Sequence, residues 1–350
     1  FPLMFLKSFG YAGVTVVTMA VAGALIALPA LLAILGKKID KAIVRKGAIT
    51  PKENGRWAQT ARFVMRKPVS VVVLSLIILT VLAAPIKDIV FSQVDSRVLP
   101  ASNPAANAAR IITERFPGQE GNPIEIVIPK GVALGDKVET YKSAIAKVPG
   151  VVRVGQIQVY GDDLRITAIH SMAPRTPQAE VLIKELRQIS APDGTLIGGV
   201  AADYADTQIG IAKTMPWALT WIAIGVLILL FVFTGSIILP IKAVILNILS
   251  LAATLGLITW IFVEGHLKWL VGDFTVTGAV DTGSIILVAV VAFGLSMDYE
   301  LFLLSRIKEE HDAGRSNIES VATGLQRSAR IITAAAGLLA IVFASFMLSG

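Results

Sequence analysis

The 350-residue chain contains no cysteine. That excludes a disulfide staple for an exported domain and any thiolate nucleophile or ligand. Charge is also scarce: 16% of residues are Asp, Glu, Lys or Arg, where a soluble globular chain carries about 25%. Histidine is limited to His170, His266 and His311. None lies at ligand spacing from another, so each reads as a solvated or interfacial side chain and no metal is expected. The sequence has no phosphate-cradling GxxxxGK[ST] loop, no Gly-x-Ser-x-Gly elbow and no paired-histidine motif. Neither an ATP site nor an enzyme is expected, and no cofactor is called for.

What the chain does have is apolar length. Hydrophobic residues make up 54% of it and the mean hydropathy is +0.71. A bilayer core about 30 Å thick is crossed by about 20 apolar helical residues. Charge-free intervals run from Lys7 to Lys37, Lys67 to Lys87, Lys213 to Lys242, Lys242 to Glu264, Asp281 to Asp298, and from Arg330 onward. Six spans are therefore expected, with Phe1–Leu6 as the tail of one more. The chain starts at Phe1 rather than methionine and stops at Gly350 inside an apolar run, so it reads as an excerpt of a longer protein.

The net charge of +7 is concentrated between Lys37 and Lys67, where ten basic residues stand against Asp40 and Glu53. Such enrichment beside span ends marks the cytoplasmic side. It accounts for the basic balance without nucleic acid, and anionic lipid head groups are a second use for it. Alternation then sets the organisation: residues 1–36 hold a full span at about 10–36. Residues 37–67 are a basic cytoplasmic linker and 68–90 a transmembrane helix. Residues 91–213 lie outside the membrane, and 214–350 hold four more membrane helices. The Arg306–Arg330 stretch, with five basic residues, falls on the inner side as this order requires.

Residues 91–213 change pattern from continuous to periodic hydrophobicity. Asn103–Phe116 reads as an amphipathic helix and Ile124–Ile128 as an alternating strand. Leu134–Val148 reads as a helix stopped by Pro149-Gly150. Val151–Val159 and Leu164–Ile169 read as strands, Gln178–Ser190 as a helix and Thr195–Val200 as a last strand. This order predicts a ferredoxin-like α/β sandwich. Its 13 basic and 13 acidic residues balance, unlike a nucleic-acid surface. Glu120, Arg153 and Arg165 are charged positions there without an assigned ligand.

One stretch carries chemistry: Ala292-Phe-Gly-Leu-Ser-Met-Asp-Tyr-Glu-Leu-Phe-Leu-Leu-Ser-Arg306. With a helix starting near Gly283, Asp298 lies about 22 Å along it at 1.5 Å per residue. That depth is inside the membrane, toward the inner leaflet. An unpaired carboxylate there costs several kcal/mol, and intramembrane acids mark ion or proton paths. A low-dielectric site makes a carboxyl hold its proton longer, which lets it load and release protons. Tyr299 can donate to a carboxylate or relay through water. The helix face of Asp298 also holds Val291, Gly294, Leu295, Phe302 and Ser305. The small-residue stripe Ala336, Ala340, Ala344, with Thr333 and Ser345 beside it, is expected to pack near Asp298. The plainer reading is that these alanines only help helices to pack.

Gly294–Arg306 closely resembles the mycobacterial membrane protein large (MmpL) family of the RND superfamily. Gly10-Tyr-Ala-Gly13 and Leu28-Pro-Ala-Leu-Leu-Ala-Ile-Leu-Gly36 resemble the end of that family's first half. The resemblance implies a polytopic helical membrane protein with two six-helix repeats, each carrying an inserted outer domain; this chain corresponds to most of the second. It implies proton-driven export of a lipid or lipid-linked glycolipid across the inner membrane, for envelope assembly. Asp298 and Tyr299 match one of two Asp-Tyr relay pairs, the other belonging to the first repeat, which becomes the expected partner. Leu295 and Phe302 match cavity-lining positions, and Leu339 does so by distance. Multidrug efflux, or a lipid-sensing or protein-export accessory role, is the alternative within the same superfamily.

Overall fold

The computed structural model describes residues 4–36, 38–39, 55–99, 103–116, 118–272 and 274–346. The start of the expected leading tail, much of the basic linker and residues 347–350 lie outside the described residues.

In chain order, α1 (Met4–Ala22) continues through a π turn, Gly23–Ala27, into α2 (Leu28–Leu35). Next come α3 (Arg56–Arg66), α4 (Pro68–Ala83), β1 (Phe91–Ser92), α5 (Pro104–Arg115), β2 (Ile124–Ile128) and α6 (Asp136–Ile145). They are followed by β3 (Val151–Val154), β4 (Gln158–Tyr160), β5 (Asp163–His170), α7 (Pro177–Gln188) and β6 (Leu196–Gly198). The chain then runs through α8 (Val200–Thr234), α9 (Ile238–Ile258), α10 (Lys268–Val271), β7 (Val280–Asp281), α11 (Thr282–Asp312) and α12 (Asn317–Phe346).

Among the described residues, six helical stretches are long and apolar enough to cross a bilayer: Leu6–Leu35, Pro68–Asp88, Val200–Thr234, Ile238–Val263, Thr282–Asp312 and Asn317–Phe346. Each overlaps one of the six charge-free intervals of the sequence, and Val200–Thr234, Thr282–Asp312 and Asn317–Phe346 extend well past theirs. Their apolar side chains stand largely exposed, the condition of surfaces that meet lipid or more protein rather than water. The chain divides into two compact units. One takes in Ala83–Thr220 and Thr254–Val288; the other takes in Met4–Leu82, Trp221–Ala253 and the chain from Ala289 on.

The first unit contains an antiparallel sheet in the order β3-β5-β2-β6, with β4 also paired to β5. The alternation Ile124, Ile126, Ile128 puts all three on one face at 0% exposure, as a period of two requires. Val138, Tyr141 and Ile145 of α6 and Ala179, Leu182, Ile183 and Leu186 of α7 belong to the same core. Pro177 sits in the first turn of α7, and the Thr176 hydroxyl accepts from the Ala179 N–H at 3.5 Å, so the helix start is both preset and capped.

Three boundaries differ from the sequence expectation. The run Val151–Val159 is two strands, because the chain breaks at Gly155, whose N–H still reaches Thr167 O at 2.7 Å. The helix expected from Leu134 begins at Asp136, since Gly135 takes φ +51°. The last strand stops at Gly198 because Gly199, at φ +100°, has Pro123 O only 2.4 Å from where a Cβ would stand. Helix α8 then starts at once: Ala201, Ala202 and Ala205 belong to the core of the sheet, and the same helix runs on into an apolar span. No chain break separates sheet from span at Lys213.

The second unit includes α3, α12 and α11 from Ala289 on. On α3, Ala58 and Ala61 pack on Ala322 of α12; Gln326 Oε1 accepts from Ala58 N–H at 3.0 Å, and Arg62 pairs with Glu319 at 3.1 Å. Helices α11 and α12 approach closely where Gly324 meets Ile307. Glu310, 4% exposed, is held between Arg315 and Arg327.

Candidate functional site

Helix α11 carries the Asp298–Tyr299 pair on a stretch whose residues from Ile285 to Met297 bear no charge. One face of this helix is packed within its unit. Met297, 6% exposed, clusters with Leu230 of α8 and Ala243 of α9, and Phe293 and Leu301 lie one turn to either side. Those three positions, four residues apart, form one helical stripe. Asp298 follows Met297 and is turned about 100° away from that stripe.

The consequence is that Asp298 is exposed among the described residues, and no hydrogen bond or ion pair of its carboxylate occurs among them. The packed stripe of the helix is centred on its neighbour Met297. Tyr299 is half-buried. Leu295 and Phe302, assigned to the Asp298 face, are likewise half-buried, and the Arg306 guanidinium stands over the Phe302 ring at 5.7 Å. Leu339 is half-buried on α12, whereas Ala336, Ala340 and Ala344 are exposed. The alanine stripe is therefore not covered by Asp298: α12 is gripped at Ala322, Gly324 and Arg327, two turns and more before the stripe.

The sequence reading passed over what lies on the other side of α11. Glu300 Oε1 stands 3.5 Å from Lys242 Nζ, and its Oε2 is 3.4 Å from Asn247 Nδ2. Asn247, 4% exposed, also points Nδ2 at Met297 Sδ, 2.8 Å away, and at Ala243 O, 3.1 Å away. A lysine at the start of α9 and an asparagine five residues on, facing an acid near the end of an apolar run, were the available signals.

The charged residues of the sheet are mutually satisfied. Arg165 clasps Glu125 through two bonds of 2.7 Å, and Arg153 pairs with Glu120 at 2.7 Å. The Arg165 hydrogen bonds hold the Glu125 carboxyl below the usual carboxylate range. His170 is fully buried, with Nε2 3.1 Å from Asn122 O, and burial pushes its pKa down. No group of three or more His, Cys, Asp or Glu side chains among the described residues is placed to hold a metal ion.

Six apolar helices with an acid-tyrosine pair inside one of them define a multi-pass membrane protein. The model of the MMPL family matches residues 97–350, and the chain belongs to that family. It is 35% identical to the putative membrane protein SCO6666 of Streptomyces coelicolor, covering all of this chain and 48% of the relative. It is 30% identical to the trehalose monomycolate exporter MmpL3 of Mycobacterium tuberculosis, over 100% of this chain and 41% of that protein. With the mycolic acid-containing lipids exporter MmpL11 of Mycolicibacterium smegmatis it shares 30% identity, over 84% of this chain and 32% of the relative. The chain thus spans about half, or less, of the length of these relatives.

Proposed function

We propose that the whole protein exports a lipid or lipid-linked glycolipid across the bacterial inner membrane, driven by the proton-motive force, for assembly of the cell envelope. The observation that carries this reading is Asp298: an acid within an apolar helix, on the face that α8 and α9 leave open. Asp298 takes up and releases the proton, and Tyr299 donates to it or passes the proton on through water. A matching pair from the first repeat covers that open face. Leu295, Phe302 and Leu339 line the central passage. The exporter names of MmpL3 and MmpL11 support the lipid class of cargo.

In this reading the sheet unit is a ferredoxin-like domain on the periplasmic side, supported by its β-α-β-β-α-β order once the short additional strand β4 is set aside, and by the strand order β3-β5-β2-β6. The basic linker faces the cytoplasm. The chain alone does not transport, because the relay needs both pairs. The test is lipid movement by the full-length protein in vesicles with an imposed proton gradient. Asp298→Asn abolishes it while the protein still folds. Normal transport by that variant would sink the proton role, and gradient-driven movement of drugs but not lipids would reassign the cargo.

A further inference from the structure

Asn247 is the buried polar side chain that reaches the relay turn from a neighbouring helix. It is 4% exposed in the middle of α9, a mainly apolar helix. Its amide nitrogen donates back to Ala243 O at 3.1 Å and outward to two groups of α11, Met297 Sδ at 2.8 Å and Glu300 Oε2 at 3.4 Å. Those two residues flank the Asp298–Tyr299 pair directly. Lys242, five residues before Asn247, holds the other Glu300 oxygen at 3.5 Å. The carboxylate of Glu300 is thus bridged by two side chains of α9, one to each oxygen.

An isolated apolar contact lets a helix roll; a directed polar contact sets its angle. Packing of Met297 between Leu230 and Ala243 fixes the distance between α11 and its neighbours. Leu, Ile or Val at position 247 would serve that contact equally well, so the amide has a different use. It supplies a directional bond in a medium where no water competes for the donor. The Asn247 carbonyl oxygen, Oδ1, is buried without a partner among the described residues. A buried orphan acceptor calls for a reason, and the reason here is that orienting the nitrogen toward α11 leaves the oxygen behind. Reversing the amide would aim a lone pair, instead of an N–H, at the Glu300 oxygen 3.4 Å away.

We propose that Asn247 is a positioning residue for the Asp298–Tyr299 pair: it locks the rotation of α11 by gripping Met297 and Glu300, so that Asp298 stays turned to the open face. This rests on the relay reading for its consequence on transport, but not for its geometry.

The test uses the full-length protein carrying single introduced cysteines at Gly294, on the Asp298 face, or Leu301, on the packed stripe, with any other cysteines replaced. Thiol-modification rates are measured in membranes for the parent and for Asn247→Leu, which keeps volume and removes the amide. The expected result is a change in the ratio of the two rates by about threefold to tenfold, the factor that an interhelical membrane hydrogen bond supports. Met297→Leu, which keeps the amide and removes the thioether acceptor, shifts the ratio in the same direction by less. Transport by Asn247→Leu then falls by a similar factor and its pH profile moves, which a loss of folded protein alone would not produce. An unchanged rate ratio in Asn247→Leu overturns the proposal. If Asp298→Asn transports normally while the ratio still shifts, the relay reading fails and the rotational lock stands.

Discussion

Helices α11 and α12 approach most tightly at Gly324, and that contact yields a prediction with a worked sign. A Cβ built on Gly324 would stand 2.7 Å from Ile307 Cγ1 and 2.9 Å from both Ile307 Cα and Ile307 N. The side-chain carbon can turn away, but the two backbone atoms cannot. Reaching ordinary contact requires the helices to part by about half an ångström, and overpacking of this kind costs about 1–3 kcal/mol. Alanine is worth about 1 kcal/mol more than glycine inside a helix, so Gly324→Ala nets a loss on the order of 1 kcal/mol. Gly324→Val lacks most of that compensation and loses more. Adding Ile307→Ala to Gly324→Ala relieves the Cγ1 clash and leaves the backbone clash, so rescue is partial. The measurement is thermal unfolding of the purified full-length protein in detergent. A Gly324→Ala protein that melts at or above the parent temperature refutes the close crossing. The crossing holds the C-terminal part of the helix that carries Asp298.

Other outcomes follow from the sheet and the inner helices. Ile126→Ala, at a fully buried position in the core with α6 and α7, costs about 2–5 kcal/mol, measurable as a lower denaturant midpoint for the sheet domain. His170 is buried with its pKa depressed, so its neutral form is the folded one. Stability is then level above the unfolded pKa of about 6.5 and falls as pH drops below it, because the unfolded chain gains a proton the fold resists. His170→Gln flattens that slope in denaturation at pH 7 and pH 5, and an identical slope in both proteins would contradict it. Arg62→Met breaks an ion pair whose side chains are 32% and 45% exposed. It changes the melting free energy by less than about 1 kcal/mol, and a larger loss would show that α3 depends on that pair.

The membrane spans were legible because their signal is long and one-signed: twenty apolar residues between charges admit few readings. The strand Ile124–Ile128 was legible for a similar reason, since period two puts every isoleucine on one face. Boundaries were less so. Gly155 interrupts a run of apparent strand residues, and nothing local marks it as a break rather than a paired glycine. The passage of α8 from sheet core to span was hidden because its first turns, Val200-Ala-Ala-Asp-Tyr204, carry both a core face and polar residues. At the candidate site the acid itself stood out, while its surroundings did not. Lys242 and Asn247 become meaningful only when α9 is laid against α11, a juxtaposition separated by more than 50 residues of chain.

The two sides of α11 lead to different conclusions about Asp298. On one side Met297, Glu300 and Leu301 are engaged by α8 and α9, with apolar packing and a bridged carboxylate. On the other, Asp298 and Gly294 are exposed, with Leu295 and Phe302 half-covered. A helix whose only role was to anchor the protein would gain nothing from a carboxylate on its less covered side, where the solvation cost in lipid is greatest. The acid is tolerable only if that side meets protein or a water-filled path. On the engaged side Met297 is 6% exposed, packed with a leucine, an alanine and an amide. On the proposed relay reading, the chemistry of Asp298 belongs to whatever closes the open face, with α9 aiming the acid at it.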